Sequence, residues 1–451
     1  MTAVVAILNK RGLAIAADSA VTRSRMNGNK ITKNGNKMVR LSNTVPISVM
    51  FTGNGAFLGT TWDILARQYR LRRGDIPHET VEACVHDFFK YIADNHLFCD
   101  TKITKKFVRS EIGEIYGPLT ESINCDIESY EEQEDASESI IQDFLEMLQR
   151  LRNNYIEAGV CPQFKDYTAA QFHEFAGEIV SDYLKNCIAE EDNFYFDNEC
   201  FPETVIDAIH EELELTLLAR LSTNRYREHS SAELVFTGFG AKQDYPSLVA
   251  TTVYEGFDDH VNYYFDEKNV VNISDACPIA ICPFAQDDVV ESLLRGMHEE
   301  YFNKLISEVH DSINPFFSNI LDTQSLDPPT DTDEEDLLFD DRTDSAWNLF
   351  HDISSSDLVG RYESSCRRHM DANRRKWEKA LMNYDLPSMA ALAESLIDLT
   401  GFQRIITFSN EGVGGPVDLA VVTKADGFVW LNRKSWYHHK DIGGKYGKFG
   451  V

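Results

Sequence analysis

The sequence predicts an α+β fold in which sheets pack between helices and carry inserted helical material. Three observations lead there: short apolar, β-rich runs recur near both ends and in the middle of the chain. Helical periodicity fills the stretches between them. The chain order is strands, helices, strands, helices, strands, with no internal repeat.

Residues 3–8 are an unbroken apolar run, Asn9-Lys10-Arg11-Gly12 supplies turn chemistry, and 13–17 is a second apolar run, so the pair reads as a buried hairpin. A polar Asn/Gly/Lys-rich stretch at 22–37 precedes two further strands, 38–41 and 47–51, the second ending at Thr52-Gly53-Asn54-Gly55. Helical pattern is expected from 56 to about 97, with a stop and restart at Arg73-Gly74-Asp75-Ile76-Pro77. Residues 128–146 are dense in acid, and Ile140, Ile141, Phe144, Leu145 and Leu148 follow heptad-like spacing, which predicts amphipathic helices across 100–225. Strands are expected at 232–237, 248–254 and 260–265, and a helix from 287 to about 310 after Pro278-Ile-Ala-Ile-Cys-Pro283. The stretch 321–344 is too charged and too poor in apolar residues to bury a core and reads as a disordered linker. Helical pattern resumes over 345–400, and strands 417–422 and 427–432 close the pattern.

Of the 451 residues, 73 are Asp or Glu and 43 are Lys or Arg, so the net charge of −30 argues against nucleic-acid binding and against anionic membranes. No stretch approaches the ~20 apolar residues of a membrane helix, and the N-terminus lacks the basic region of a signal peptide. Nine cysteines without a CxxC pair suit free thiols in a reducing cytoplasm. Cys277 and Cys282 lack zinc-site spacing, and Gly238-Phe239-Gly240 reads as a bulge or turn rather than a dinucleotide loop. His438-His439 reads as an exposed tail, and Gly443-Gly-Lys-Tyr-Gly-Lys-Phe-Gly450 lacks the spacing of a phosphate loop. No cofactor or metal is expected.

The candidate chemistry lies at the N-terminus. Removal of Met1 would expose Thr2, whose hydroxyl is a weak nucleophile alone but can be activated by its own α-amine, with a pKa of ~7.7–8.0 near cellular pH. Asp18 ends the second strand of the first hairpin, beside the start of the first. Lys37 opens the next strand, where its charge can lower the amine and hydroxyl pKa while pairing with Asp18. Gly53 and Gly55, at the strand end, can offer N–H groups to an oxyanion. By composition alone, Asp18 serves equally well as a turn cap and Lys37 as a solvated loop lysine.

Thr2-Ala-Val-Val-Ala and Gly12-Leu-Ala-Ile-Ala-Ala-Asp18-Ser19 resemble the N-terminus of proteasome β-type subunits and of the peptidase subunit of bacterial two-component ATP-dependent proteases, with no gap between Thr2 and Asp18. Lys37-Met-Val-Arg-Leu resembles that family's lysine strand start, and Phe51-Thr52-Gly53-Asn54 its glycine turn. Asp385-Leu-Pro-Ser-Met, Gly414-Gly415-Pro-Val417-Asp-Leu and Lys424-Ala-Asp-Gly427-Phe resemble its last helix and closing hairpin. The resemblance implies a four-layer αββα sandwich of the N-terminal nucleophile (Ntn) hydrolases, built from 2–99, 231–308 and 384–436. Around that core it leaves two mostly helical insertions, an acidic one at 100–230 and a linker-plus-helix one at 309–383 with 320–345 disordered, and a flexible tail at 437–451. It implies a threonine-type hydrolase of amide bonds, with Thr2 as nucleophile, Asp18 and Lys37 as tuning residues and Gly53 as the oxyanion donor. Peptide or small-amide substrates, self-association, and a separate ATPase or adaptor follow from the same resemblance. Two family features depart: Cys282-Pro283-Phe284-Ala285 stands where the family has a Ser-Gly pair, and Asn410 where it has Asp, with Ser409 and Glu411 as neighbours. Those departures also fit a non-catalytic scaffold that binds partners through its insertions.

Overall fold

A computed structural model describes residues 2–23, 30–32, 35–95, 101–125, 136–189, 203–223, 231–258, 260–322, 355–407 and 414–434. Strands β1 (Ala3–Asn9) and β2 (Gly12–Ala17) form the expected hairpin, in register Val4 to Ala17 and Asn9 to Gly12. They are apolar at nearly every position because both faces are covered: Val4, Ala6 and Leu8 face a second sheet, while Ala3, Val5 and Ile7 face helices. β3 (Val21–Arg23) and β4 (Lys30–Thr32) make a small separate hairpin in the polar stretch. β5 (Met38–Arg40) and β6 (Ile47–Gly53) follow as predicted.

The expected helix from residue 56 begins later. Ala56 to Thr61 form a two-residue-strand hairpin, β7 (Ala56–Phe57) and β8 (Thr60–Thr61), with Leu58 at φ 43° in its turn. Strands this short carry no periodicity. Helices α1 (Trp62–Arg73) and α2 (Val81–Asp94) then pack Trp62, Leu65, Tyr69, Val85, Phe88 and Phe89 against the second sheet, and the Thr80 side chain caps α2 by accepting from the Ala83 N–H.

Between α2 and the next core strand lie α3 (Thr101–Cys125), α4 (Ala136–Glu157), α5 (Ala169–Ala189) and α6 (Glu203–Ser222). Their inward faces, including Ile112, Phe144, Leu148, Phe172, Val180 and Leu213, make an apolar core of their own. Phe257 of the core is buried in the same cluster, and Asn262 Nδ2 donates to the Leu221 carbonyl at 2.8 Å, tying bundle to sheet.

β9 (Ala232–Gly238), β10 (Ser247–Val253) and β11 (Tyr263–Asn272) complete the second sheet, in order β11-β10-β9-β6-β5. β11 runs seven residues beyond the expected 265, as an edge strand whose outer half is largely exposed. β12 (Ile279–Ala285) joins the first sheet, in order β12-β1-β2-β13-β14; it is an edge strand, which accommodates Pro283. The helix expected from 287 to 310 is broken into α7 (Asp288–Arg295) and α8 (Glu299–Asp322) by Gly296, which takes φ 91° and donates its N–H to the Ser292 carbonyl at 2.8 Å, a left-handed cap. α9 (Ser355–Leu381) and α10 (Leu386–Ile406) follow, then β13 (Asp418–Thr423) and β14 (Gly427–Asn432). α7, α9 and α10 cover the outer face of the first sheet through Val290, Leu294, Leu381, Met389, Ala393 and Leu396.

The chain is therefore mixed α/β of the α+β class with antiparallel sheets, as the sequence predicts. The inner faces of the two sheets share one core, Val4, Ala6, Leu8 and Ile15 meeting Met38, Met50, Val235 and Leu248. Most of the expected linker at 320–345, residues 408–413 with Ser409, Asn410 and Glu411, and the tail 437–451 with both histidines lie outside the described residues.

Candidate active site

Three of the four sequence-predicted site residues lie around the starts and ends of β1, β2 and β5. Thr2 precedes β1 and is 8% exposed; Asp18 follows β2 and is fully buried; Lys37 precedes β5 and is buried. The hairpin register sets Ala3 opposite Asp18, whose N–H donates to the Ala3 carbonyl at 3.1 Å while Ala3 N–H donates to Asp18 Oδ1 at 2.9 Å. The residue after Thr2 is thus pinned to Asp18 in both directions.

Asp18 accepts four hydrogen bonds. Oδ1 takes the Ala3 N–H and the Lys37 ammonium at 2.5 Å; Oδ2 takes the Ala20 N–H at 3.1 Å and the Gly414 N–H at 3.0 Å. A buried carboxylate with this donor set is satisfied as an anion. Lys37 is anchored to the other sheet, its carbonyl accepting from the Phe51 N–H at 2.9 Å. The ion pair consequently bridges the two sheets; Lys37 is not a solvated loop lysine, and Asp18 caps its own turn through the Ala20 N–H as well as pairing with Lys37. Burial pushes the Lys37 ammonium below the ordinary lysine value; Asp18 pulls it back, the nearby Lys434 charge lowers it further, and Asp418 raises it.

Gly53 ends β6 at φ 70°, and a Cβ there would stand 2.5 Å from the Ser231 carbonyl oxygen, so the turn requires glycine. The next N–H, of Asn54, donates to that same Ser231 oxygen at 2.9 Å. Gly55, the second glycine of this turn, has its carbonyl engaged by the Trp62 N–H at 3.2 Å. Strand β12, where the sequence departs from the family pattern, places Ala285 opposite Ala3. Ala285 holds φ 67°, a left-handed conformation costly for a residue with a Cβ, and such backbone gathers at functional sites.

The structure also brings in residues the sequence did not single out. Asp418 and Lys434 form a second buried ion pair, with side chains 4% and 7% exposed. Lys434 Nζ also donates to Ser19 Oγ at 2.8 Å and to the Gly35 carbonyl at 2.5 Å. Asp418 was visible in the Gly-Gly-Pro-Val-Asp run, but Lys434, next to Arg433 at the end of a strand, looks like any surface cation. Beside Gly53, Thr52 Oγ1 donates to Glu233 Oε2 at 3.0 Å across the β6–β9 pair. Burial, with the charges of Asp266 and Asp287, pushes the Glu233 carboxyl up to about 7, against the Thr52 hydrogen bond. Its signal was one acidic residue in an otherwise apolar strand.

Cys277 and Cys282 are free thiols, and burial pushes the Cys282 thiol up to about 12, which makes it inert rather than nucleophilic. Among the described residues no group of His, Cys, Asp and Glu could hold a metal, and no helix is long and apolar enough to cross a membrane. No protein-family model matches the chain, and no curated protein matches it.

Proposed function

We propose that this chain is a threonine-type Ntn hydrolase that cleaves amide bonds, peptide bonds in particular, through an acyl-enzyme on Thr2 after Met1 is removed. The observation that carries this is the buried Lys37–Asp18 pair, with Asp18 fastened to the residue after Thr2. α1 and α2 on one sheet, α7, α9 and α10 on the other, and a shared core between the sheets support the four-layer αββα sandwich of that class.

In this mechanism Thr2 Oγ attacks the substrate carbonyl carbon and its proton passes through a water to the Thr2 α-amine. The Gly53 N–H receives the oxyanion. Collapse of the tetrahedral adduct breaks the C–N bond, and the ammonium returns the proton to the departing amine. Water then attacks the Thr2 ester by the same route and releases the acid. Lys37, its charge held by Asp18, favours the free amine over the ammonium. A separate ATPase or adaptor would supply unfolded substrate.

Thr2→Ala tests it: the variant should retain the wild-type circular dichroism spectrum and lose hydrolysis of fluorogenic peptides and small amides alike. Equal turnover by both proteins ends the proposal, and turnover of small amides alone narrows the enzyme to an amidohydrolase. A second reading, a proteasome-like scaffold without turnover, is favoured by the Cys282-Pro283-Phe284-Ala285 stretch of β12, which carries no hydroxyl where the family has a Ser-Gly pair and whose Ala285 stands opposite Ala3. An N-terminal mass that retains Met1 would select it.

A further inference from the structure

We propose that Lys434, held by Asp418, is a positioning residue of the Thr2 site, fixing through Ser19 and Gly35 the chain segments that carry Asp18 and Lys37. The proposal rests on the reading of Thr2 as the nucleophile.

The Lys434 ammonium has three protons and three acceptors: the Asp418 carboxylate, Ser19 Oγ and the Gly35 carbonyl. Ser19 follows Asp18, and Gly35 lies two residues before Lys37. Ser19 Oγ in turn donates to the Pro416 carbonyl at 2.5 Å, Ser19 N–H to the Gly414 carbonyl at 3.2 Å, and Gly35 N–H to the Ser19 carbonyl at 2.9 Å. Gly414 N–H closes the circuit on Asp18 Oδ2. One ammonium therefore gathers the end of β2, the approach to β5 and the approach to β13. The Lys434 N–H also donates to Asp418 Oδ1 at 3.0 Å, so backbone and side chain are locked to one carboxylate.

A buried ion pair is poor evidence for stability, because desolvating two charges offsets most of their attraction. Here the pair imposes geometry on the neighbouring pair. The charged groups acting on Lys37 are Asp18, Asp418 and Lys434; removing the Lys434 charge leaves two carboxylates acting on it, so Lys37 holds its proton to higher pH.

The test compares the full chain with Lys434→Gln, which keeps amide donors, and with the Asp418→Asn/Lys434→Gln double variant, which leaves no unpaired buried charge. One arm follows Thr2-dependent peptide hydrolysis. Both variants should lose about tenfold or more in kcat, with KM within about twofold, since displacement of a catalytic group by ~1 Å costs on that order. In Lys434→Gln the alkaline limb of the pH profile, where Lys37 gives up its proton, should also move to higher pH. A second arm follows amide hydrogen exchange at Ala3, Ala20 and Gly414, which should quicken in both variants while the β9–β10 amides are unchanged. Wild-type kcat with an unmoved profile overturns the proposal. If the wild type shows no Thr2-dependent hydrolysis, the nucleophile assignment fails by itself, and unchanged exchange at those three amides still overturns the role of Lys434.

Discussion

The Lys37 ammonium lies 2.5 Å from Asp18 Oδ1, with both side chains buried and each anchored to a different sheet. This ion pair is the joint between the sheets at the end where Thr2 enters. It converts three residues scattered over the first 37 positions into one constellation.

Asp18→Asn should destabilise the protein strongly. The amide removes the counter-charge of a buried ammonium and turns an –NH2 toward donors that need an acceptor. Breaking one side of such a pair costs about 3–5 kcal/mol, measured as a fall in the urea midpoint at unchanged m. The Asp18→Asn/Lys37→Met double variant should recover part of the loss. A single variant within 1 kcal/mol of wild type, on the order of thermal energy, would contradict the burial of the pair.

Gly53→Ala should cost about 1–3 kcal/mol, from a left-handed φ and from a Cβ facing the Ser231 oxygen at 2.5 Å. Hydrolysis should fall more than stability does, since the Gly53 N–H must move to relieve the contact. Thermal melting and peptide turnover measured together separate the two effects.

Glu233 makes stability depend on pH. Its folded value of about 7 lies above the ordinary 4.5, so the folded state binds its proton more tightly than the unfolded chain. The contribution is fully present below pH 4.5 and is lost as pH rises through about 7. Glu233→Gln, which keeps an acceptor for Thr52, should match wild type near pH 4 and exceed it at pH 8 by on the order of 3 kcal/mol. Denaturation curves at the two pH values check this; equal differences at both would exclude the shift.

Asn262→Leu should loosen the helical bundle from the sheet. Asn262 is fully buried, donates to the Leu221 carbonyl at 2.8 Å and accepts from Cys161 Sγ at 2.9 Å. An apolar replacement strands both partners at about 1–3 kcal/mol each. Limited proteolysis should then cut within 101–222 sooner than within β9 or β10, whereas uniform sensitivity would mean that bundle and sheet unfold together.

Much of the sheet was legible because strands covered on both faces are continuous apolar runs. The β1–β2 hairpin, β6, β9, β10 and β14 fall within a residue or two of their expected ends. What escaped has local causes. β7 and β8 are two residues each, too short for any period. β11 alternates poorly because it is an edge with a register shift between Val249 and Thr251 of its partner. Helix periodicity ran through Gly296 because one glycine does not disturb a moment but does end a helix. At the candidate site, the pairing of Asp18 with Lys37 was readable from their places at strand ends. Lys434 and Glu233 were not, since burial of a charged side chain is decided by distant segments: Lys434 meets Ser19 from 415 positions away.

The Ser231 carbonyl has a double duty. It lies where the chain returns from the bundle to β9, and it is the acceptor that fixes Asn54 beside Gly53. With Gly53 read as the proposed oxyanion donor, the bundle's exit and that donor are linked by one hydrogen bond and a single residue step. On that reading, whatever grips the helices α3–α6 acts on the proposed site as well as on the bundle, and pruning them away to make a minimal core would alter that site rather than merely shorten the chain.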